Sequence, residues 1–195
     1  MSFEFRIESN VMARTKKATL PAGLARDIAV TWARERPDLD PLDYLLPIYI
    51  LRLGRIVEWD GNRLWKNNFG ISSPDMRVLF ALRRAGGDCS RRPTDLFRAL
   101  LVTSGAMTKI VDRLGAEGLV KRRPDPSDKG GFQIQLTAKG KRIADDAMTQ
   151  MAAATILTSS RISLSKTERK VMVDLLQRVL LEVEEIMSAE EASDR

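Results

Sequence analysis

Ser104-Gly105-Ala106-Met107-Thr108-Lys109-Ile110-Val111-Asp112-Arg113-Leu114-Gly115-Ala116-Glu117-Gly118 is the stretch on which the fold turns. Met107, Ile110, Val111 and Leu114 recur at i, i+3, i+4 and i+7, which brings four apolar side chains onto one helix face. The remaining face carries Ser104, Gly105, Thr108, Lys109 and Asp112, small, hydroxylic or charged groups of the kind that reach base edges and phosphates in a major groove. Any amphipathic surface helix shows the same spacing, so the flanks must separate a DNA-reading helix from a merely solvated face.

Upstream, Pro93-Thr94-Asp95-Leu96-Phe97-Arg98-Ala99-Leu100 reads as a short helix with proline at an opening position, and Leu101-Val102-Thr103 is a tight connection of the helix-turn-helix kind. Downstream, Leu119 to Arg123 is strand-like and runs into Pro124-Asp125-Pro126-Ser127-Asp128-Lys129-Gly130-Gly131, a loop too rich in turn residues for a helix or a central strand. Phe132-Gln133-Ile134-Gln135-Leu136 then alternates apolar and polar residues with period two, as one strand of a half-buried hairpin does. Helix, turn, helix and β-ribbon predict a mainly α fold with a small β-wing: a winged helix-turn-helix core with N- and C-terminal helices forming a dimerisation layer.

Charge agrees with that placement. Residues 83–142 hold fourteen Lys/Arg against six Asp/Glu, a surplus of eight, while the whole chain has a surplus of only six. Residues 143–195 hold six basic and ten acidic groups. The positive charge is therefore segregated onto the motif, where it supplies the sequence-independent attraction to phosphate that a duplex-binding protein needs.

Composition excludes much else. With 195 residues and 44% hydrophobic content the chain can build a core, and no apolar run approaches the ~18 residues that span a bilayer. Without a signal-peptide core, a cytoplasmic location is expected. The absence of histidine removes the commonest general base and the commonest transition-metal ligand, so no metal, cofactor or catalytic centre is expected. Asp125 and Asp128 share the wing loop and read as turn formers and ion-pair partners in a basic segment. Cys89, the single cysteine, cannot form an intrachain disulfide and reads as a passive residue.

The rest of the chain falls into segments. Residues 1–22 form a basic lead expected to fray, with Met12 as an alternative start. Residues 23–71 hold the N-terminal helices. Leu24, Ile28 and Trp32 line a short helix that stops before Pro37. A longer helical region runs from Asp40-Pro41 to about Phe69, with Leu45, Tyr49, Leu53, Ile56 and Val57 on one face and Pro47 as either a kink or the true start. Residues 72–137 are the winged helix-turn-helix, entered by a buttressing helix with Ser73 as N-cap and Pro74 behind it. In residues 138–195, one helix continues through about Ser160, and Ser165-Lys166-Thr167-Glu168 is a capping box for the last. That helix bears a stripe of Met172, Leu175, Leu176, Val179, Val183, Ile186 and Met187, which covers either the protomer's own core or a second copy.

From about Ser72 to Gly140 the chain resembles the MarR family of transcription factors. The resemblance rests on L-V-T-S-G-A-M-T-K-I-V-D-R-L-G-A-E-G-L-V-K-R-R, then D-P-S-D-K and Q-L-T-A-K-G. It implies a homodimer on a pseudo-palindromic double-stranded operator, with two recognition helices in successive major grooves ~34 Å apart. The expected DNA contacts are Arg91, Arg92, Thr94, Thr103, Ser104, Gly105, Ala106, Thr108, Lys109, Asp112, Arg113, Arg122, Arg123, Asp128 and Lys129. One departure is visible: where the family's wing reads Asp-Arg-Arg, this chain has Asp128-Lys129-Gly130, leaving the minor-groove arginine's part to Lys129, Arg122 or Arg123. The family's peroxide sensors carry their cysteine in the first helix, unlike Cys89.

Ile28 to Asp40 is similar to the added N-terminal helix of the family's urate-responsive branch, in which a tryptophan, an aspartate and an arginine surround the effector. Trp32 and Arg122 match, whereas Arg77 stands where the aspartate belongs. The resulting expectation is a small aromatic anion stacked on Trp32, its carboxylate held by Arg122 or Arg77; the plain alternative makes Trp32 a packing anchor. A repressor released by such an effector and a winged-helix architectural or protein-interaction module without one are the two functions in view.

Overall fold

The computed structural model describes residues 23–158 and 160–193. The lead before Gly23, with Met12, lies outside them. In chain order the elements are α1 (Leu24–Glu35), α2 (Pro41–Phe69), α3 (Ser73–Arg84), β1 (Ser90–Arg91), α4 (Pro93–Ala99), α5 (Ser104–Ala116), β2 (Val120–Pro124), β3 (Phe132–Leu136), α6 (Ala138–Ala154) and α7 (Lys166–Ser193). Two compact units are present, with the division between Arg52 and Leu53 inside α2. The architecture is the expected one, mainly helical with a small antiparallel sheet.

The core belongs to the second unit. Met76, Val78, Leu79 and Leu82 of α3 are fully buried with Leu96, Met107, Leu114, Leu119 and Ile134. Trp65 of α2 closes this core, its ring edge-on to Phe80 with centroids 5.8 Å apart. Gly140, in the first turn of α6, sits so tightly on the Leu119 carbonyl that a Cβ there would collide with it, so only glycine lets α6 approach the base of the hairpin.

Three local readings need correction, and the alternative left open at Pro47 is settled. The N-cap of α3 is Ser72, whose hydroxyl accepts from the Asp75 N–H, and Ser73 is already helical. Pro47 lies inside α2, so the helix begins at Pro41. The first hairpin strand begins at Val120 and runs to Pro124, and a two-residue strand, β1, adds a third member, giving the order β1-β3-β2 with Ser90 opposite Gln135 and Val120 opposite Leu136. Finally, α6 stops at Ala154 rather than Ser160. Thr155 is extended, and the next N–H, that of Ile156, goes to the buried Asp60 carboxylate of α2 at 2.8 Å, a partner ninety-six residues away.

The expected capping box is present: the Ser165 N–H donates to Glu168 Oε2 at 2.8 Å and the Glu168 N–H to Ser165 Oγ at 3.2 Å. The helix it opens buries none of its described side chains. Among the described residues no helix is long and apolar enough to cross a membrane.

Candidate nucleic-acid interface

The reading helix is held at both ends. Thr103 is its N-cap, its hydroxyl accepting from the Ala106 N–H at 3.2 Å. At the other end Gly118, at φ 69°, turns the chain so that the Gly118 N–H reaches Gly115 O at 2.9 Å and the Leu119 N–H reaches Leu114 O at 2.8 Å. This is a Schellman close, with Leu114 and Leu119 both buried across it. Between the caps, Met107, Ile110, Val111 and Leu114 face the core as the spacing predicts. Ser104, Gly105, Thr108, Lys109, Asp112 and Arg113 are exposed, and Ala106 is half-buried.

The connection from α4 is unusual for its backbone. Leu101 adopts φ 51° with its side chain largely in solvent, a costly conformation for a branched residue. The Leu101 N–H donates to Arg98 O and the Val102 N–H to Phe97 O, so the left-handed turn is pinned to α4. Val102 and Thr103 then launch α5 across α4, the geometry of a helix-turn-helix.

The cations divide into two groups. Arg113, although its side chain is half exposed, forks onto the buried Asp75 carboxylate of α3 at 2.6 and 3.2 Å and thereby fastens α5 to its buttress. Arg92, which caps α4, donates Nε to Asp125 Oδ2 at 2.5 Å and Nη2 to Ser127 Oγ at 3.1 Å. Arg123 pairs with Asp88, and Arg91 donates to the Ser90 and Ala85 carbonyls. Arg122, on β2, meets Asp112 of α5 at 2.8 Å and lies 5.2 Å from the centre of the Phe132 ring. Among the described residues Lys109 and Lys129 form no ion pair. One stands on the helix and one on the wing loop, and both are exposed. Asp128 and Thr94 are exposed as well.

Asp125 is the turn former and ion-pair partner that the sequence suggests, whereas sequence reasoning missed Asp75, thirty-eight residues from its arginine. Both carboxylates are almost completely buried. Hydrogen bonds from Ser127 and then from Arg92 hold the Asp125 carboxyl down at about 2, well below its ordinary value of 3.8. The same pairing raises the Arg92 guanidinium. Thr108 is exposed as expected, but its hydroxyl donates to Ser104 O at 3.1 Å, so outward it offers acceptor lone pairs and a methyl group.

For the effector, Trp32 lies in the first unit, about half exposed, its ring 6.4 Å from that of Tyr44. In the second unit Arg77 pairs with Glu58 at 3.3 Å. A cleft of about 230 Å³ lies between α4, α5 and the sheet, lined by Pro93, Phe97, Thr108, Arg122 and Phe132 among others. No group of three His, Cys, Asp or Glu side chains stands ready for a metal among the described residues.

Known proteins share this arrangement. Residues 69–129 match the MarR family model. The multiple antibiotic resistance protein MarR of Salmonella typhimurium is 35% identical over 102 residues, which cover 49% of this chain and 69% of that protein. The transcriptional regulator PecS of Dickeya dadantii is 29% identical over 114 residues, 58% of this chain and 68% of PecS. The crystal structure of reduced MarR from E. coli superposes with a TM-score of 0.55 at 27% identity, covering 73% of this chain and 98% of that one. With the capped reading helix and its pinned turn inside the residues that match the family model, and a relative 35% identical, the chain belongs to the MarR family of DNA-binding transcriptional regulators.

Proposed function

We propose that this protein is a sequence-specific repressor that binds a pseudo-palindromic duplex operator as a homodimer and is released by a small aromatic anion. The observation that carries the reading is the exposed polar face of α5, with Lys109 unpaired, beside a hairpin whose tip presents Lys129. On such a surface Lys109 and Lys129 supply phosphate contacts, while Ser104, Gly105 and Thr108 approach base edges. Dimerisation is supported by the apolar stripe of α7, exposed from Leu175 to Met187 in the single chain. Two copies related by a two-fold axis would present two reading helices to one face of DNA.

Arg122 is the residue through which an effector would act. Its guanidinium joins Asp112 of the reading helix to Phe132 of the wing and lines the cleft between them. A carboxylate that takes both donors of this fork displaces Asp112, and the protein must then bind that anion better in a form unsuited to DNA. Trp32 offers an open ring face for stacking in the first unit. Urate itself is not carried over, because Arg77 replaces the acid of the urate-responsive branch.

Selection of bound fragments from the source genome, followed by footprinting with and without a panel of aromatic acids, tests the reading. Symmetric sites that lose protection on adding an acid support it. Binding without site preference, or footprints indifferent to every acid, would favour the architectural module.

A further inference from the structure

Asp125 is an acid buried in the middle of a cationic DNA-facing hairpin, with a side chain only 1% exposed. Its Oδ2 accepts from Arg92 Nε at 2.5 Å. Its Oδ1 accepts from the Ser127 N–H at 3.0 Å, the Ser127 hydroxyl at 2.8 Å and Gln133 Nε2 at 3.3 Å. The backbone closes the same loop, the Asp125 N–H donating to Gly131 O and the Gly131 N–H to Asp128 O, each at 3.0 Å. One carboxylate thus ties three places together: the cap of α4, the ascending side of the wing tip and the start of β3.

An acid at this position has two opposed effects. As a bare negative charge it would repel a polyanion, and its removal would tighten DNA binding. As a hub of four hydrogen bonds it fixes the loop that carries Lys129 against the entrance of the helix-turn-helix, so a flexible tip does not have to be ordered when DNA arrives. Burial decides between them. The carboxylate is shielded from solvent and neutralised by Arg92, so little of its field reaches a phosphate, while every bond it makes shapes the loop.

We propose that Asp125 is the positioning residue of the DNA wing: through Arg92, Ser127 and Gln133 it sets the loop that carries Lys129 against the cap of α4, so that deleting this negative charge weakens binding to DNA. Arg92 accordingly serves the wing as a strut rather than as a free phosphate ligand. The inference rests on the DNA-binding reading above.

The test uses the full chain and a labelled duplex of about 30 bp, three turns of helix, enriched by the wild-type protein from a random-sequence pool. Asp125→Asn keeps the shape and removes the charge. Affinity is expected to fall about tenfold, with a log K against log salt slope as shallow as that of Lys129→Ala, and the double variant is expected to bind no worse than the weaker single one. Lys109→Ala, on the other arm of the interface, should add its loss independently. Ser127→Ala, an exposed change that leaves net charge untouched, is expected to weaken binding about threefold and guards against a poorly folded Asp125→Asn. Equal or tighter binding by Asp125→Asn, a loss additive with Lys129→Ala, or an unaffected Ser127→Ala where Asp125→Asn does not fold, would overturn the proposal and leave the regulator reading intact. A wild-type protein that enriches no duplex would overturn both.

Discussion

The winged helix and the helices that flank it solve the burial problem in opposite ways. Within the reading head, Leu79 and Leu82 of α3 are 0% exposed and Leu114 of α5 is 1% exposed. On α7, Leu180 and Ile186 are 57% and 58% exposed, and Leu42 near the start of α2 is 77% exposed. A single chain therefore completes one core and leaves its terminal helices with apolar surface facing water, each such side chain forgoing roughly 1.5–3 kcal/mol of burial. The contrast teaches that the reading head completes its core within one copy, whereas the flanking helices leave the apolar surface that the proposed dimer would bury.

The largest effect expected from breaking this contrast lies in the head. Leu114→Ala opens a cavity where no neighbour is free to collapse and should cost about 3 kcal/mol, measured as a lowered denaturation midpoint at unchanged slope. On α7, Leu176→Lys should leave the head folded and instead shift the protein from dimer to monomer in sedimentation, with operator affinity falling because one reading helix binds alone. An α7 substitution that lowered stability without changing mass would place that stripe against the protomer's own core. Smaller is Thr103→Ala, which removes the hydroxyl that caps α5 and should cost about 1 kcal/mol of stability. Lys109→Ala should leave stability alone, weaken binding to all sequences and reduce the salt slope by about 0.9 per protomer.

The mildest perturbation is acid. Asp125 is held at about 2 in the folded protein against an ordinary 3.8, so the folded state releases its proton more readily than the unfolded chain. Its contribution is present above pH about 4 and is lost as pH falls through about 2, where stability should decline with a wing-located signal first. The carboxyls of Asp88 and Glu168 are also lowered, by Ser90 and Ser165 respectively, and add to the loss in the same direction.

What was legible in the sequence followed from local chemistry. The period of Met107, Ile110, Val111 and Leu114, the turn residues of the wing and the Ser165–Glu168 box each act within a few residues, and each stands where the pattern placed it. What was not legible came from distant partners. Strand β1 is defined by its pairing with β3, and where α6 ends the Ile156 N–H is taken by Asp60. Charge counting misled in the same way: Arg92 and Arg113 contribute to the basic surplus, but acids thirty-three and thirty-eight residues away commit them to holding the head together. The phosphate-seeking charge is thus concentrated in fewer residues than the composition suggests.

Hydroxyl-radical footprinting of the wild-type protein on its enriched duplex tests the central claim most directly, because it maps both arms of each reading head at once. The account predicts two equivalent protected segments about 10 bp apart centre to centre, each flanked by a minor-groove protection that disappears in Lys129→Ala. A single protected segment, protection without symmetry, or a footprint unchanged by Lys109→Ala and Lys129→Ala together would contradict it.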